Sequence, residues 1–268
     1  MMSVHVSHES AEFEGAMLTS VRPLTTLHLG SEFVATEMFG TRRRRDLIET
    51  LVSGIKRRFK RERRRRKVGR AFDMALEIAR VIPRGSEVLD VGCGNGFIAH
   101  HLSALLGAAV FGIDLEETTE APIDYLRYDG KEFPAENNSF DAVLLCYVLH
   151  HTQEVGVMFE EIHRVLRSGG RAIIYEDIPA TWWDRFVCSI HNKQWKDRTG
   201  ACTFRDESEW RRLFEDFGFE VSSERQLSRL RNLTHPVRRR FYVLRVSVAS
   251  AGSNRKKSSA YHARQSSM

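Results

Sequence analysis

Apolar and polar positions divide the 268-residue chain into a helical beginning and an alternating strand–helix body. Leu47, Leu51, Ile55 and Phe59 recur four residues apart, and Ile48 and Val52 widen the stripe. That spacing predicts an amphipathic helix over 42–68. Gly69 is read as a break. A second short helix is expected over 71–81, with Phe72, Leu76 and Ala79 inward, ended by Pro83, Arg84 and Gly85. After Gly85 the period changes. Short apolar runs at 87–91, 109–115, 125–128, 140–149 and 171–178 predict five strands, and 97–106, 155–166 and 207–217 predict helices between or after them. Two further strands are expected at 219–227 and 241–248. Their linker, broken by Pro236, is too short for a helical crossover, so they read as a hairpin.

Strands alternating with helices imply a doubly wound α/β sheet, parallel and covered on both faces, to which the hairpin adds an antiparallel strand. The expected organisation is an unassigned segment 1–41, a basic helical extension 42–84, a body 85–248 carrying an insert at 177–204, and a Ser-rich disordered tail 249–268. No internal repeat is visible.

Composition narrows the class. Hydrophobic residues are 42% and charged residues 28%, as in ordinary globular chains. The longest apolar stretch, within 142–149, is less than half of what a bilayer crossing needs, so no transmembrane helix is expected. The opening MMSVHVSHES carries no readable secretory signal. Cys93, Cys146, Cys188 and Cys202 form no C-x-x-C pair, which suggests a reducing, cytoplasmic setting. The pairs His100-His101 and His150-His151 lack the i, i+4 spacing that puts two ligands on one helix face, so no metal site is expected.

The net charge of +6 is local in origin. Segment 42–70 holds 15 Lys/Arg against 3 acids, and the remainder holds 26 basic against 32 acidic residues. A basic amphipathic helix can lie on anionic lipid, follow a phosphate backbone, or dock on its own domain with its arginines in water. Binding nucleic acid by stacking asks for aromatics among the arginines. Only Phe59 and Phe72 are available, and both belong to the apolar stripe, so nucleic acid is the less favoured partner.

The chemistry centres on EVLDVGCGNG at 87–96, where an apolar strand runs into a glycine turn and a helix follows. In open α/β sheets ligands bind at the carboxyl ends of the strands. A dinucleotide fingerprint would place glycine at position 97, which is Phe. Asp90 sits badly beside a pyrophosphate but suits an ammonium group. Asp114 ends the second strand, where an acid can bond a ribose diol. Asp129, before Gly130, ends the third, where an acid can accept from an adenine amino group. An ammonium, a ribose and an adenine without phosphate describe S-adenosylmethionine.

At these residues the chain resembles the class I S-adenosylmethionine-dependent methyltransferases of the type 11 subset. The matching stretches are VLDVGCGNG (88–96), FGIDL (111–115), YDGKEFP (128–134), SFDAVLLCYVLHH (139–151), EIHRVLRSGG (161–170) and LFEDFGFEV (213–221). The resemblance implies a Rossmann-like seven-stranded sheet with its last strand antiparallel. It also implies that Asp90, Gly92 and Gly94 line the methionine end of the cofactor and that Asp114 holds the ribose. Asp129 and Gly130 would meet the adenine, and Cys146 and Tyr147 would pass under the sulfonium. Two departures stand out. Only 14 residues separate Asp114 from Asp129, so the helix between the second and third strands is shortened to a turn or lost, and Ser168 replaces a proline.

Methyl transfer is an in-line displacement, and holding nucleophile and methyl in line is the main requirement. An alcohol or carbon acid also needs a general base. His151 is the first candidate and His191 the second, although His151 equally suits a structural place. The insert 177–204 caps the acceptor site by resemblance. Trp182, Trp183 and Trp195, with Phe186, either line an apolar pocket beside His191 or pack the cap onto the sheet. The expectation is a metal-independent methyltransferase of a small hydrophobic acceptor such as a lipid, quinone or polyketide, with segment 42–70 touching an anionic membrane. The alternatives are an RNA or protein methyltransferase, a non-catalytic cofactor-binding module, and a nicotinamide dehydrogenase, which Phe97 disfavours.

Overall fold

The structure, a computed structural model, describes residues 31–247. The expected tail and the first thirty residues lie outside this range. The chain divides into two units at Lys60/Arg61. Helix α1 spans Ser31–Ala79 without interruption. Gly69 therefore does not break it. A Cβ added there would meet nothing within 4 Å, and one helical glycine costs only about 1 kcal/mol, less than a long helix can absorb. In the second unit the inward stripe of α1 is Ala71, Ala75 and Ile78; of the residues expected inward, Ala79 packs partly buried against it, Leu76 is half-buried and Phe72 is exposed. The small side chains let the helix lie close to the sheet, and Phe72 is left edge-on to His101 with ring centroids 5.3 Å apart. Ala75, Ile78 and Ile82 thus join the core on one face of the sheet.

Seven strands follow: β1 Val88–Val91, β2 Val110–Asp114, β3 Asp124–Arg127, β4 Phe140–Cys146, β5 Leu166–Ile178, β6 Phe219–Leu227 and β7 Arg238–Val246. They pair in the order β3-β2-β1-β4-β5-β7-β6. The pairs from β3 to β5 are parallel. β7 is antiparallel to both neighbours, because the chain turns back after β6 and β7 inserts between β5 and β6. The helices are α2 Phe97–Leu106, α3 Val155–Val165, α4 Trp182–Thr199 and α5 Glu207–Asp216. No helix lies between β2 and β3, as the short spacing implied. β5 starts earlier than expected, since Leu166 pairs with Phe140 and the Ser168-Gly169-Gly170 stretch is carried inside the strand as an irregularity.

Alternation splits the core between the two faces. Leu89, Val91, Val143 and Leu145 point towards α3 and α5, where Phe159, Ile162, Trp210 and Phe214 meet them. Val88, Ala142, Leu144 and Ile173 point the other way, towards the end of α1 and α2. Both faces are covered, so β1 is buried at all four positions, Asp90 included.

Candidate functional site

The strand order sets the carboxyl ends of β3, β2, β1 and β4 side by side. Val91 pairs with Ile113 on one side and Leu145 on the other, so the turn after β1 is flanked by Asp114 and Cys146. The amides of Gly92 and Cys93 donate to the Ile113 carbonyl at 2.8 and 3.1 Å. Gly94 N–H donates to Asp114 Oδ2 at 2.7 Å, tying the turn to the acid. The other oxygen of Asp114 accepts from the amides of Leu115 and Glu116.

Gly92 has φ +66°, and a Cβ there would lie 2.5 Å from Val148 Cγ2. Gly96, which caps α2 with φ +73°, would bring a Cβ 2.5 Å from Thr119 Oγ1. Both positions need glycine for conformation and for space. Val148 was missed by sequence reading, since only the fold brings the end of β4 against the first glycine. Tyr147 also has positive φ, at 65°, and its amide donates to the Tyr175 carbonyl at 2.9 Å. Arg239 lies over its ring at 5.6 Å.

Asp90 is 1% exposed, and neither carboxylate oxygen has a hydrogen-bond partner. Burial, reinforced by the charge of Asp114, pushes its pKa up to about 7. A buried, unsatisfied carboxyl next to a glycine turn could receive a cationic ligand group. Asp129 is exposed on the turn after β3 and accepts from the Lys131 amide at 2.9 Å. That bond holds its carboxyl below the ordinary range. Gly130, with φ +82°, lies against the Leu115 side chain, so the 129–130 turn abuts the end of β2.

Beyond β4 the chain makes a 3-10 turn, Leu149–His151. His150 Nδ1 is 2.7 Å from Glu176 Oε2, both side chains being almost wholly buried. Burial opposes a charge on His150, but Glu176 outweighs it and the pKa rises. His151 Nε2 lies 3.3 Å from His191 Nε2, and its Nδ1 is 3.0 Å from Thr199 Oγ1 and 3.3 Å from Cys202 Sγ. Burial, then the neighbouring His150, pushes His151 down to about 3 and His191 down to about 4. Both imidazoles are therefore neutral at physiological pH.

His191 reaches this place on α4, whose inward stripe is Asp184, Cys188, His191 and Trp195. The Thr181–Asp184 capping box starts the helix, and Arg229 pairs with Asp184 at 2.7 Å. Trp195 packs on His151 and His191, with centroids 5.0 and 5.9 Å away. Trp182 and Trp183 do not join them. Trp182 is 77% exposed and, with Trp183, Phe186 and Ile190, forms an outward apolar face. The reason is the phase of the helix: the stripe begun by Asp184 turns inward, so residues two positions before it turn out.

Residues 89–174 match the family model Methyltransf_11, described as a methyltransferase domain. The chain is 31% identical over 137 residues to "Arginine-hydroxylase NDUFAF5, mitochondrial" of Danio rerio, covering 48% of this chain and 40% of that protein. It is 27% identical over 168 residues to "Demethylmenaquinone methyltransferase" of Staphylococcus aureus strain JH9, covering 52% and 69%. The chain thus spans about two fifths of the first of these relatives. Among solved structures, a SAM-dependent methyltransferase of Methanosarcina mazei superposes with TM-score 0.52 at 20% identity, covering 63% of this chain and 96% of that one. The [4+2]-cyclase SpnF superposes with TM-score 0.54 at 17% identity, covering 66% and 82%. These likenesses establish the Rossmann-like fold.

Proposed function

From the match of residues 89–174 to a methyltransferase-domain model, we propose that the protein transfers a methyl group from S-adenosylmethionine to a small hydrophobic acceptor. The observation that carries the reading is the unsatisfied Asp90 carboxyl beside the Gly92–Gly96 turn. It fits the ammonium of the cofactor. Asp114, fixed by Gly94 N–H, keeps lone pairs for the ribose hydroxyls, and the 129–130 turn lies next to it for the adenine. When bound, S-adenosylmethionine supplies an activated methyl and a neutral leaving group. The protein's own task is alignment. His151 is the candidate base, held in the neutral form that accepts a proton.

Support for a hydrophobic acceptor comes from the exposed apolar face of α4, where Trp182, Phe186 and Ile190 recur four residues apart on the side away from His151, as a surface that meets an apolar phase. Such a face suits a lipid, quinone or polyketide-like molecule, and one relative's name is that of a quinone methyltransferase. The basic part of α1, with Leu47, Leu51, Ile55 and Phe59 exposed, suits an anionic membrane surface. No helix among the described residues is long and apolar enough to cross a membrane. A second reading is a protein acceptor, met through the same basic segment.

The test is calorimetric titration with S-adenosylmethionine and, in parallel, NADH, followed by transfer of a labelled methyl group to a lipid extract. Binding of the first alone, with label in a lipid, is expected. Asp114→Ala should weaken binding by more than about 1 kcal/mol, because it removes charge-assisted bonds. Unchanged affinity in that variant would remove the ribose assignment. Label appearing only in protein would move the conclusion to the second reading.

A further inference from the structure

Three histidines from two separate elements converge beside the cap. One ring nitrogen of each of His150, His151 and His191 lies within 4.8 Å of those of the other two. Their ring centroids are 4.2, 5.2 and 5.4 Å apart. We propose that His150, His151 and His191 form a three-imidazole site for a first-row divalent transition metal of the zinc class.

Four observations carry this. His150 Nε2 is buried in a side chain 1% exposed and has no hydrogen-bond partner, so with Nδ1 on Glu176 its lone pair has no donor to accept from. Second, His150 Nδ1 faces the buried Glu176 carboxylate at 2.7 Å. A carboxylate on the far nitrogen is the usual outer shell of a metal-bound imidazole, fixing its tautomer and ring plane. Glu176 also accepts from the Leu149 amide at 2.9 Å, which holds that carboxylate in place. Third, His151 Nδ1 is taken up by Thr199 Oγ1 in the same manner, leaving Nε2 for the ion.

Fourth, the Nε2 atoms of His151 and His191 are 3.3 Å apart. Two imidazoles on one tetrahedral zinc, with bonds of roughly 2.0–2.1 Å, stand about 3.3 Å apart. Neutral imidazole is the form that binds. The donor set selects the ion: imidazole suits Zn, Cu, Fe and Ni, whereas Mg and Ca take oxygen ligands. Three ligands leave a fourth position open. Cys202 lies on the Nδ1 side of His151, opposite the nitrogen assigned to the ion, and is not a ligand.

The site rests on these side chains and not on the cofactor reading, and the two meet at one residue: an ion on His151 Nε2 takes up that lone pair, so zinc binding would make His151 a ligand and not the base. The test uses the full chain stripped with chelator and titrated with Zn2+ by calorimetry. Cobalt(II) is added separately, and its visible spectrum read. One equivalent of zinc is expected, unaffected by excess Mg2+, with the intense visible bands of four-coordinate cobalt. His191→Ala should lower zinc affinity at least about tenfold and abolish those bands. His100→Ala, an exposed control, and Cys202→Ala should retain both. Weak six-coordinate cobalt bands in the unaltered chain would overturn the proposal, even if the variant failed to fold. Equal zinc binding by His191→Ala, or loss in Cys202→Ala instead, would overturn it as well.

Discussion

Asp90 shows how burial gives a carboxylate a job. It is the penultimate residue of a strand that is buried on both faces, and no donor reaches it. Its ordinary pKa of 3.8 is pushed up to about 7 by burial and by Asp114. Below about pH 4 the group is protonated in both folded and unfolded chains and costs nothing. Between pH 4 and 7 the unfolded chain ionises first, so the cofactor-free fold loses stability as pH rises, and above 7 the loss is constant. Asp90→Asn should therefore raise the stability of the free protein by about 1–3 kcal/mol at pH 8 and leave it nearly unchanged at pH 4, read from denaturant melts. An ammonium ligand prefers the ionised form. S-adenosylmethionine affinity should climb from pH 5.5 to a plateau above 7, and Asp90→Asn should bind weakly at every pH. A flat affinity profile in the unaltered protein would detach Asp90 from the ammonium. Asp90 was legible in sequence as the last acid before a glycine turn. Its missing partners were not, because they depend on what α1, α2 and β4 place around it.

The elements differ in how much of them their own residues decide. The β1–α2 turn is almost wholly local: Gly92, Gly94 and Gly96 all take positive φ. Gly92→Ala should destabilise the fold by about 1–3 kcal/mol, from the φ of +66° and the clash with Val148. Val148→Ala in the same chain should recover part of that loss, the part due to the clash. No recovery would assign the whole cost to backbone conformation. Helix α1 runs the other way. Gly69 looked like a break, but it is exposed, lies inside the helix and has free space around it. Gly69→Ala should stabilise the protein by about 0.4–1 kcal/mol in thermal melts. A destabilised variant would argue against the continuous helix. Helix α4 explains the misplaced tryptophans. Its start was visible in Thr181 and Asp184, but its phase depends on Arg229 bonding Asp184 from a distant segment.

At the scale of the molecule, charge is unevenly spread. Segment 42–70 is strongly basic and the rest mildly acidic. If the basic helix meets an anionic bilayer, the full chain should co-sediment with phosphatidylserine vesicles and not with neutral ones, and release as salt rises past the point where screening shortens the field. Leu51→Glu with Phe59→Glu should weaken binding while keeping the charge dependence. Retention on RNA and not on vesicles would redirect the segment to nucleic acid.

Sequence by itself determined the α/β class, most strand and helix positions, the glycine turn and the acids Asp90 and Asp114. These follow from spacing and turn chemistry within a few contiguous residues, and such local rules hold before any long-range contact forms. Only the tertiary structure decided which face of α1 packs, where the first unit ends, and that Trp195 rather than Trp182 turns inward. It alone joined His150 and His151 to His191, 40 residues further on. That meeting depends on the turn after β4 and the inward stripe of α4 packing against each other, and no spacing along the chain encodes a contact between two elements that fold separately.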